Sequence, residues 1–275
     1  MSPTYPERVL ATLLFMTTTT TSGSPLTDVR ELGTVLGIWA HPDDEAFLSA
    51  GLMTMARAAG QRVACVTATW GERGTPDPES WPPARLAQVR AAEVRASLAV
   101  LDVREHHHLG VMDGTCADQP FDAMVDRLAV IVEEVRPDTV VTFGPDGMTG
   151  HEDHQTVSAW ATAAWREAAP AARLLYATTT EVFVDEWADL HSRLDVFLAE
   201  GLPLRTPRHE LDVELALSDE VADLKLVALR AQASQTTGLV EAVGVDVLRE
   251  WWRAETFVRG PVVSAGAWGT WSVAA

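Results

Sequence analysis

Two short stretches of this 275-residue chain are dense in groups that bind cations and move protons: His41-Pro42-Asp43-Asp44-Glu45 and Gly150-His151-Glu152-Asp153-His154. In each, the outer candidates stand three apart, His41 with Asp44 and His151 with His154. In the first turn of a helix that spacing puts both on one face. Two such turns meeting at a sheet edge would offer imidazoles and a carboxylate to one cation. Two imidazoles and one carboxylate with a fourth position open suit catalytic zinc, and the same donors suit non-haem iron. His41, Asp44 and His154 form that set, which leaves Asp43 and His151 beside the ion without being bound to it. A carboxylate there can take the proton of a water that the ion has acidified to a pKa of ~7. A protonated imidazole opposite can stabilise the oxyanion formed when hydroxide adds to a carbonyl. Asp153 is placed to hold that imidazole in its charged form.

These groups can act together only if the fold brings the two stretches to one place. From Thr34 onward, short β-rich apolar runs alternate with longer segments of helical period, the signature of βαβ units around a parallel sheet. The pattern predicts strands at Val35–Ala40, Val63–Thr69, Val103–His108, Thr139–Phe143, Leu174–Thr178 and Leu211–Leu217. It predicts helices at Glu45–Ala59, Ala84–Val100, Phe121–Val135, His151–Ala168, Asp185–Phe197, Ser218–Gln232 and Leu239–Trp252. The first helix stops at Gly60, as helices prefer to. Trp70 to Pro83 carries Gly71, Gly74, Pro76, Pro78, Pro82 and Pro83, and reads as a long ordered loop of the kind that forms a binding wall. Each dense stretch follows a predicted strand, the first and the fourth. Ligands of open parallel sheets gather at these carboxyl ends.

Composition narrows the function. The chain is 47% hydrophobic and 22% charged, ordinary for a globular domain. Its 39 acidic against 21 basic residues give a formal charge of −18, which repels a phosphate backbone and argues against nucleic-acid binding. Cys65 and Cys116 are too few for a disulfide framework or a four-thiolate metal site, so a reducing cytoplasm is expected. No apolar stretch reaches the ~20 residues of a membrane span. Val9 to Met16 is a short apolar run followed by five threonines and Ser22-Gly23-Ser24-Pro25, without the basic start or small-residue cleavage site of a signal peptide. Residues 1–30 are therefore expected to be a disordered or loosely packed leader, and residues 31–275 a single domain. Composition leaves a homo-oligomer open.

The two motifs, the second following a Pro137-Asp138-Thr139-Val140-Val141 strand, resemble those of the LmbE-like or PIG-L-like zinc-dependent N-deacetylases. These include the mycothiol-pathway deacetylase and the mycothiol-conjugate amidase. The resemblance runs from about Val35 to Phe257. It implies a Rossmann-like three-layer α/β/α fold with a mainly parallel sheet and a less regular C-terminal portion. It also implies zinc on His41, Asp44 and His154, Asp43 as general base and then acid, and His151 as electrophilic helper. Arg90, which with Glu93 matches the family's Arg-x-x-Glu, Glu72 in the second-strand loop and Asp113 before Gly114 are implied on the substrate side. Lys225 to Gln235 is similar to a family stretch that has histidine where this chain has Gln232. Thr149 stands where the mycothiol deacetylase type has tyrosine, and Glu152 where proline is usual.

Each feature also has a plainer reading. Aspartates at a helix start favour the helix dipole, but two such clusters at matching strand ends point to a site. His106, His107 and His108 lie on a strand, so neighbours face opposite ways and cannot all serve one metal. Arg90 can be a solvated helix arginine, and Asp113-Gly114 a simple turn. Trp251 and Trp252 read as core or interface rather than as sugar-stacking walls. The expectation is a hydrolase that uses zinc, or ferrous iron, to remove an acetyl or short acyl group from an N-acetylglucosamine-type amino sugar in a small glycoside. The alternatives are an amidase of a mycothiol-like thiol conjugate and a non-catalytic sugar-binding metalloprotein.

Overall fold

Val35–Trp39 (β1), Val63–Thr69 (β2) and Thr139–Phe143 (β4) are buried at every position. Such continuous burial belongs to strands covered on both faces. The computed structural model describes residues 24–261 and joins these runs with Glu105–Val111 (β3), Arg173–Thr178 (β5), Val213–Ala216 (β6) and Ala254–Arg259 (β7) in one sheet, ordered β3-β2-β1-β4-β5-β7-β6. The first five strands in that order are parallel, while β7 runs antiparallel to both β5 and β6. The sequence pattern did not reveal β7. Its run Ala-Glu-Thr-Phe-Val-Arg hides a buried carboxylate, Glu255, that faces Lys225.

The helices are α1 (Asp44–Ala58), α2 (Pro83–Val100), α3 (Phe121–Val135), α4 (Glu152–Ala168), α5 (Glu181–Glu186), α6 (Ala188–Leu194), α7 (Asp219–Ala231), α8 (Ala233–Val243) and α9 (Val245–Trp251). The crossovers pack α1 and α2 against α7, and α3 against α4. The three-layer α/β/α fold with a mainly parallel sheet is therefore as expected. Strand order reverses between β1 and β4, so the loops after these strands diverge and leave a crevice there.

Four boundaries differ from expectation. The third strand runs over Glu105–Val111 rather than Val103–His108. The predicted helix at Asp185–Phe197 starts at Glu181, capped by Thr180 through its hydroxyl, and breaks into two short helices at Trp187. The predicted helix at Leu239–Trp252 is α8 and α9, interrupted at Gly244, whose φ of 86° no helix accommodates. The packed chain also begins earlier than residue 31. Leu26 bridges to Val213 beside the sheet, and Val29 and Leu32 sit in the core, on a single turn capped by Asp28. The rest of the expected leader, residues 1–23, lies outside the described residues.

Candidate metal centre and active site

β1 ends at Trp39, and Ala40 leads into His41 at the lip of the crevice. His41 lies before α1 rather than on it, so it does not share a helical face with Asp44. A turn brings them together instead, because the His41 backbone N–H donates to Asp44 Oδ2 at 2.8 Å. From the other lip, after β4, a single turn at Gly147–Gly150 leads to His151, the N-cap of α4, with His154 in the first turn. His41 Nδ1 and His154 Nε2 are 3.1 Å apart, and the Asp44 carboxylate is 3.6 Å from the first and 3.4 Å from the second. The three expected ligands thus converge, all at least nine-tenths buried.

The outer partners of the two rings decide what can sit between them. His41 Nε2 faces carboxylates, Asp113 Oδ1 at 3.1 Å and Asp153 Oδ2 at 3.2 Å, so that nitrogen carries the proton. His154 Nδ1 faces the Gly147 carbonyl at 2.9 Å and likewise donates. The remaining nitrogens of the two rings, His41 Nδ1 and His154 Nε2, face one point, with a carboxylate beside them. Two acceptors cannot bond to each other, so a proton or a cation must lie between them. Carboxylates behind a ligating imidazole are the usual way to set its tautomer and raise its basicity, and the donor set fits a divalent ion. Burial opposes charge on His41, but Asp113, Asp153 and Asp44 outweigh it and push its pKa up to about 10. Burial, with the nearby His41 and His151, holds His154 well below the usual histidine range.

Asp43 precedes α1 with φ 106° and ψ −31°, a left-handed conformation that is costly for a residue with a side chain. Its Oδ2 lies 3.1 Å from Arg90 Nη2. Burial raises its pKa to about 7, against the pull of Arg90. His151 is half-buried, its ring centroid 4.9 Å from that of His41 and 5.0 Å from that of His154. The Asp153 backbone N–H donates to its Nδ1 at 3.2 Å, which leaves the ring proton to Nε2.

Three expected roles change. The Asp153 carboxylate does not hold His151 charged: it is bonded to His41 and accepts from the backbone N–H groups of Gly114 and Cys116. Asp113 is buried against His41 and accepts the Arg73 N–H through its other oxygen. Arg90 is 3% exposed and points inward, donating to the carbonyls of Gly71 and Pro42 as well as to Asp43. Gly71 is required there, since a Cβ would stand 2.1 Å from the guanidinium. Glu72 accepts from the Asp113 N–H through Oε1 at 3.3 Å, while its Oε2 has no protein partner. Of the three residues expected to contact substrate, Glu72 alone keeps an unengaged carboxylate oxygen.

Sequence reasoning missed Glu45 and Gln232 as members of this cluster. Glu45 is wholly buried and accepts from the Asp43 N–H at 3.0 Å and from Gln232 Nε2 at 2.6 Å. Its signal was present as the fifth residue of the first motif. The histidine run stays outside: His106 bonds to Thr67, and His108 stacks on Trp70 at 3.5 Å.

The family model described as PIG-L, GlcNAc-PI de-N-acetylase, matches residues 36–165 and so spans both clusters. A 1D-myo-inositol 2-acetamido-2-deoxy-alpha-D-glucopyranoside deacetylase of Actinosynnema mirum is 32% identical over 248 residues, 76% of this chain and 83% of that protein. The chain belongs to the PIG-L family. The family's description and the relative's name both denote removal of an N-acetyl group, which is hydrolysis of an amide C–N bond. Among solved structures, the N,N'-diacetylchitobiose deacetylase of Pyrococcus horikoshii superposes with a TM-score of 0.57 at 20% identity, covering 95% of this chain and 94% of that one. The 4-carboxy-2-hydroxymuconate hydratase GalB of Pseudomonas putida also gives 0.57, at 16% identity, over 86% of this chain and 99% of its own. A deacetylase and a hydratase superpose equally well, so at this distance structural likeness speaks for the fold and the reaction must be argued from the site.

Proposed function

We propose that this PIG-L family member is a metal-dependent N-deacetylase that hydrolyses the acetamide, or another short acyl amide, of an N-acetylglucosamine-type sugar in a small glycoside. The reading rests on one observation. His41 Nδ1, His154 Nε2 and the Asp44 carboxylate converge, with Asp43 and His151 beside them, and our reading gives the ion to the first three. Zinc suits these donors, as does ferrous iron. A bound ion supplies Lewis acidity, polarising the amide carbonyl and making water a nucleophile near neutral pH.

The chain's own groups supply the proton transfers and the orientation. Asp43, with its pKa pushed up to about 7 chiefly by burial, is matched to taking a proton from the attacking water and returning it to the leaving amine. Arg90 keeps that carboxylate aimed while occupying one oxygen. His151 offers its Nε2–H to the oxygen that becomes negative, while its Nδ1 accepts the Asp153 N–H. The sugar amide is also the bond named for the Actinosynnema relative, which supports the substrate class.

The test is elemental analysis of the purified protein and of His154→Ala, with acetate release from N-acetylglucosaminyl glycosides followed in the same samples. One ion per chain, lost in the variant together with acetate release, is the expected result. Hydrolysis of cysteinyl amides but not acetamides would move the assignment to a thiol-conjugate amidase. Stoichiometric metal with no amide hydrolysed would leave a sugar-binding metalloprotein.

A further inference from the structure

The general base proposed above sits in a backbone conformation that an aspartate does not adopt unaided. Asp43 has φ 106° and its side chain makes no capping bond to α1. Part of what holds it there is a buried relay reaching it from the C-terminal third of the chain. Glu45 Oε2 accepts the Asp43 N–H at 3.0 Å, and Glu45 Oε1 accepts Gln232 Nε2 at 2.6 Å and Ser97 Oγ at 3.4 Å. Glu45 and Ser97 are fully buried and Gln232 is 1% exposed. Gln232 is the corner residue between α7 and α8. Glu93 on α2 clamps that corner by accepting the Ser234 N–H at 2.8 Å and the Ser234 hydroxyl at 2.5 Å.

A glutamate that merely reaches back to cap its own helix can do so from the surface, where water solvates its second oxygen. Burying this carboxylate is costly unless both oxygens are engaged. Gln232 and Ser97 engage the oxygen that Asp43 does not use. We propose that Glu45 and Gln232 are positioning residues for Asp43: the Gln232 amide orients the Glu45 carboxylate, which fixes the Asp43 backbone so that its side chain meets Arg90 and the reacting centre. The role of Asp43 as base belongs to the preceding reading. The positioning of its backbone stands apart from that reading and can be measured without turnover.

The decisive variant is Gln232→Met, which keeps the side-chain length and removes the donor; Gln232→His restores an N–H donor. Amide hydrogen exchange at Asp43, kcat and KM for acetate release, and metal content are measured on each. Gln232→Met is expected to speed exchange at the Asp43 amide about tenfold or more and to lower kcat by roughly ten- to a hundredfold, the scale of a misplaced catalytic group. KM and metal content stay within twofold, and Gln232→His recovers most of both losses. In an Asp43→Asn background, Gln232→Met costs no further kcat, because its effect passes through that carboxylate. Wild-type exchange and kcat in Gln232→Met would overturn the proposal, as would a kcat loss that persists in the Asp43→Asn background. If Gln232→Met does not fold, Glu45→Asp, one methylene too short to reach both partners, is read in the same way. If the wild type hydrolyses no amide, the deacetylase reading fails and the exchange measurement alone decides this one.

Discussion

The division of labour at the centre turns on which atoms are already spoken for. His41 and His154 each spend one nitrogen on a protein acceptor and turn the other inward, whereas Asp43 is held by Arg90 and His151 by a backbone N–H. Asp43→Asn and His151→Ala should therefore keep their metal and lower kcat by about 10²- to 10³-fold, the cost of losing one transition-state partner. Metal analysis beside steady-state kinetics checks this, and loss of the ion in either variant would show that the ligands are misassigned. The Asp153 carboxylate belongs with the ligands. In the sequence it stands two residues from His151, yet its oxygens reach His41, Gly114 and Cys116 across the crevice.

Among the elements, α7 does most to tie the C-terminal third to the site. Lys225 Nζ donates to the Phe47 carbonyl and to Glu255 on β7, both at 2.7 Å, and Glu255 accepts the N–H groups of Gly51 and Leu52 inside α1. The pair is 3% and 0% exposed at the side chains, so Lys225→Met leaves a buried carboxylate without its cation. The expected cost is about 3–5 kcal/mol in urea unfolding. At the opposite edge, burial lowers the pKa of His106 and of His108 to about 4, aided by His108 and His107 beside the first and Arg127 near the second. The unfolded chain protonates these rings as pH falls through 6.5, and the folded chain resists until about 4. Stability is thus lost as pH falls across that window. A His106→Gln, His108→Gln variant should show a shallower decline than wild type in unfolding midpoints taken between pH 7 and 4.5.

At the scale of the whole molecule, the N-terminal segment shares in the core. Leu26 pairs with Val213, the Leu26 N–H donates to the Asp212 carbonyl, and Val29 is 4% exposed. A chain beginning at residue 31 should melt several degrees below one beginning at residue 24, since it exposes part of the β6 edge and loses a buried valine worth about 1.5–3 kcal/mol. Thermal unfolding followed by circular dichroism compares the two. Among the described residues no helix is long and apolar enough to cross a membrane.

By itself the sequence determined the chemistry on offer and the elements that carry it. Continuous apolar runs marked the buried parallel strands, and two polar clusters after the first and fourth of them marked the switch point, because both signals are local. The residues that meet at the crevice, His41, Asp43, Asp44, His151 and His154, were legible for the same reason. Tertiary structure alone decided which carboxylate serves which imidazole, since Asp113, Asp153 and His41 come from three different strand ends. It also turned Arg90 inward and delivered Gln232 to Glu45. Strand β7, which lies between β5 and β6, escaped detection because a buried Glu255 breaks its apolar pattern, and only Lys225, thirty residues earlier, makes that burial tolerable. Pairings across such separations depend on packing, and local propensity carries no record of them.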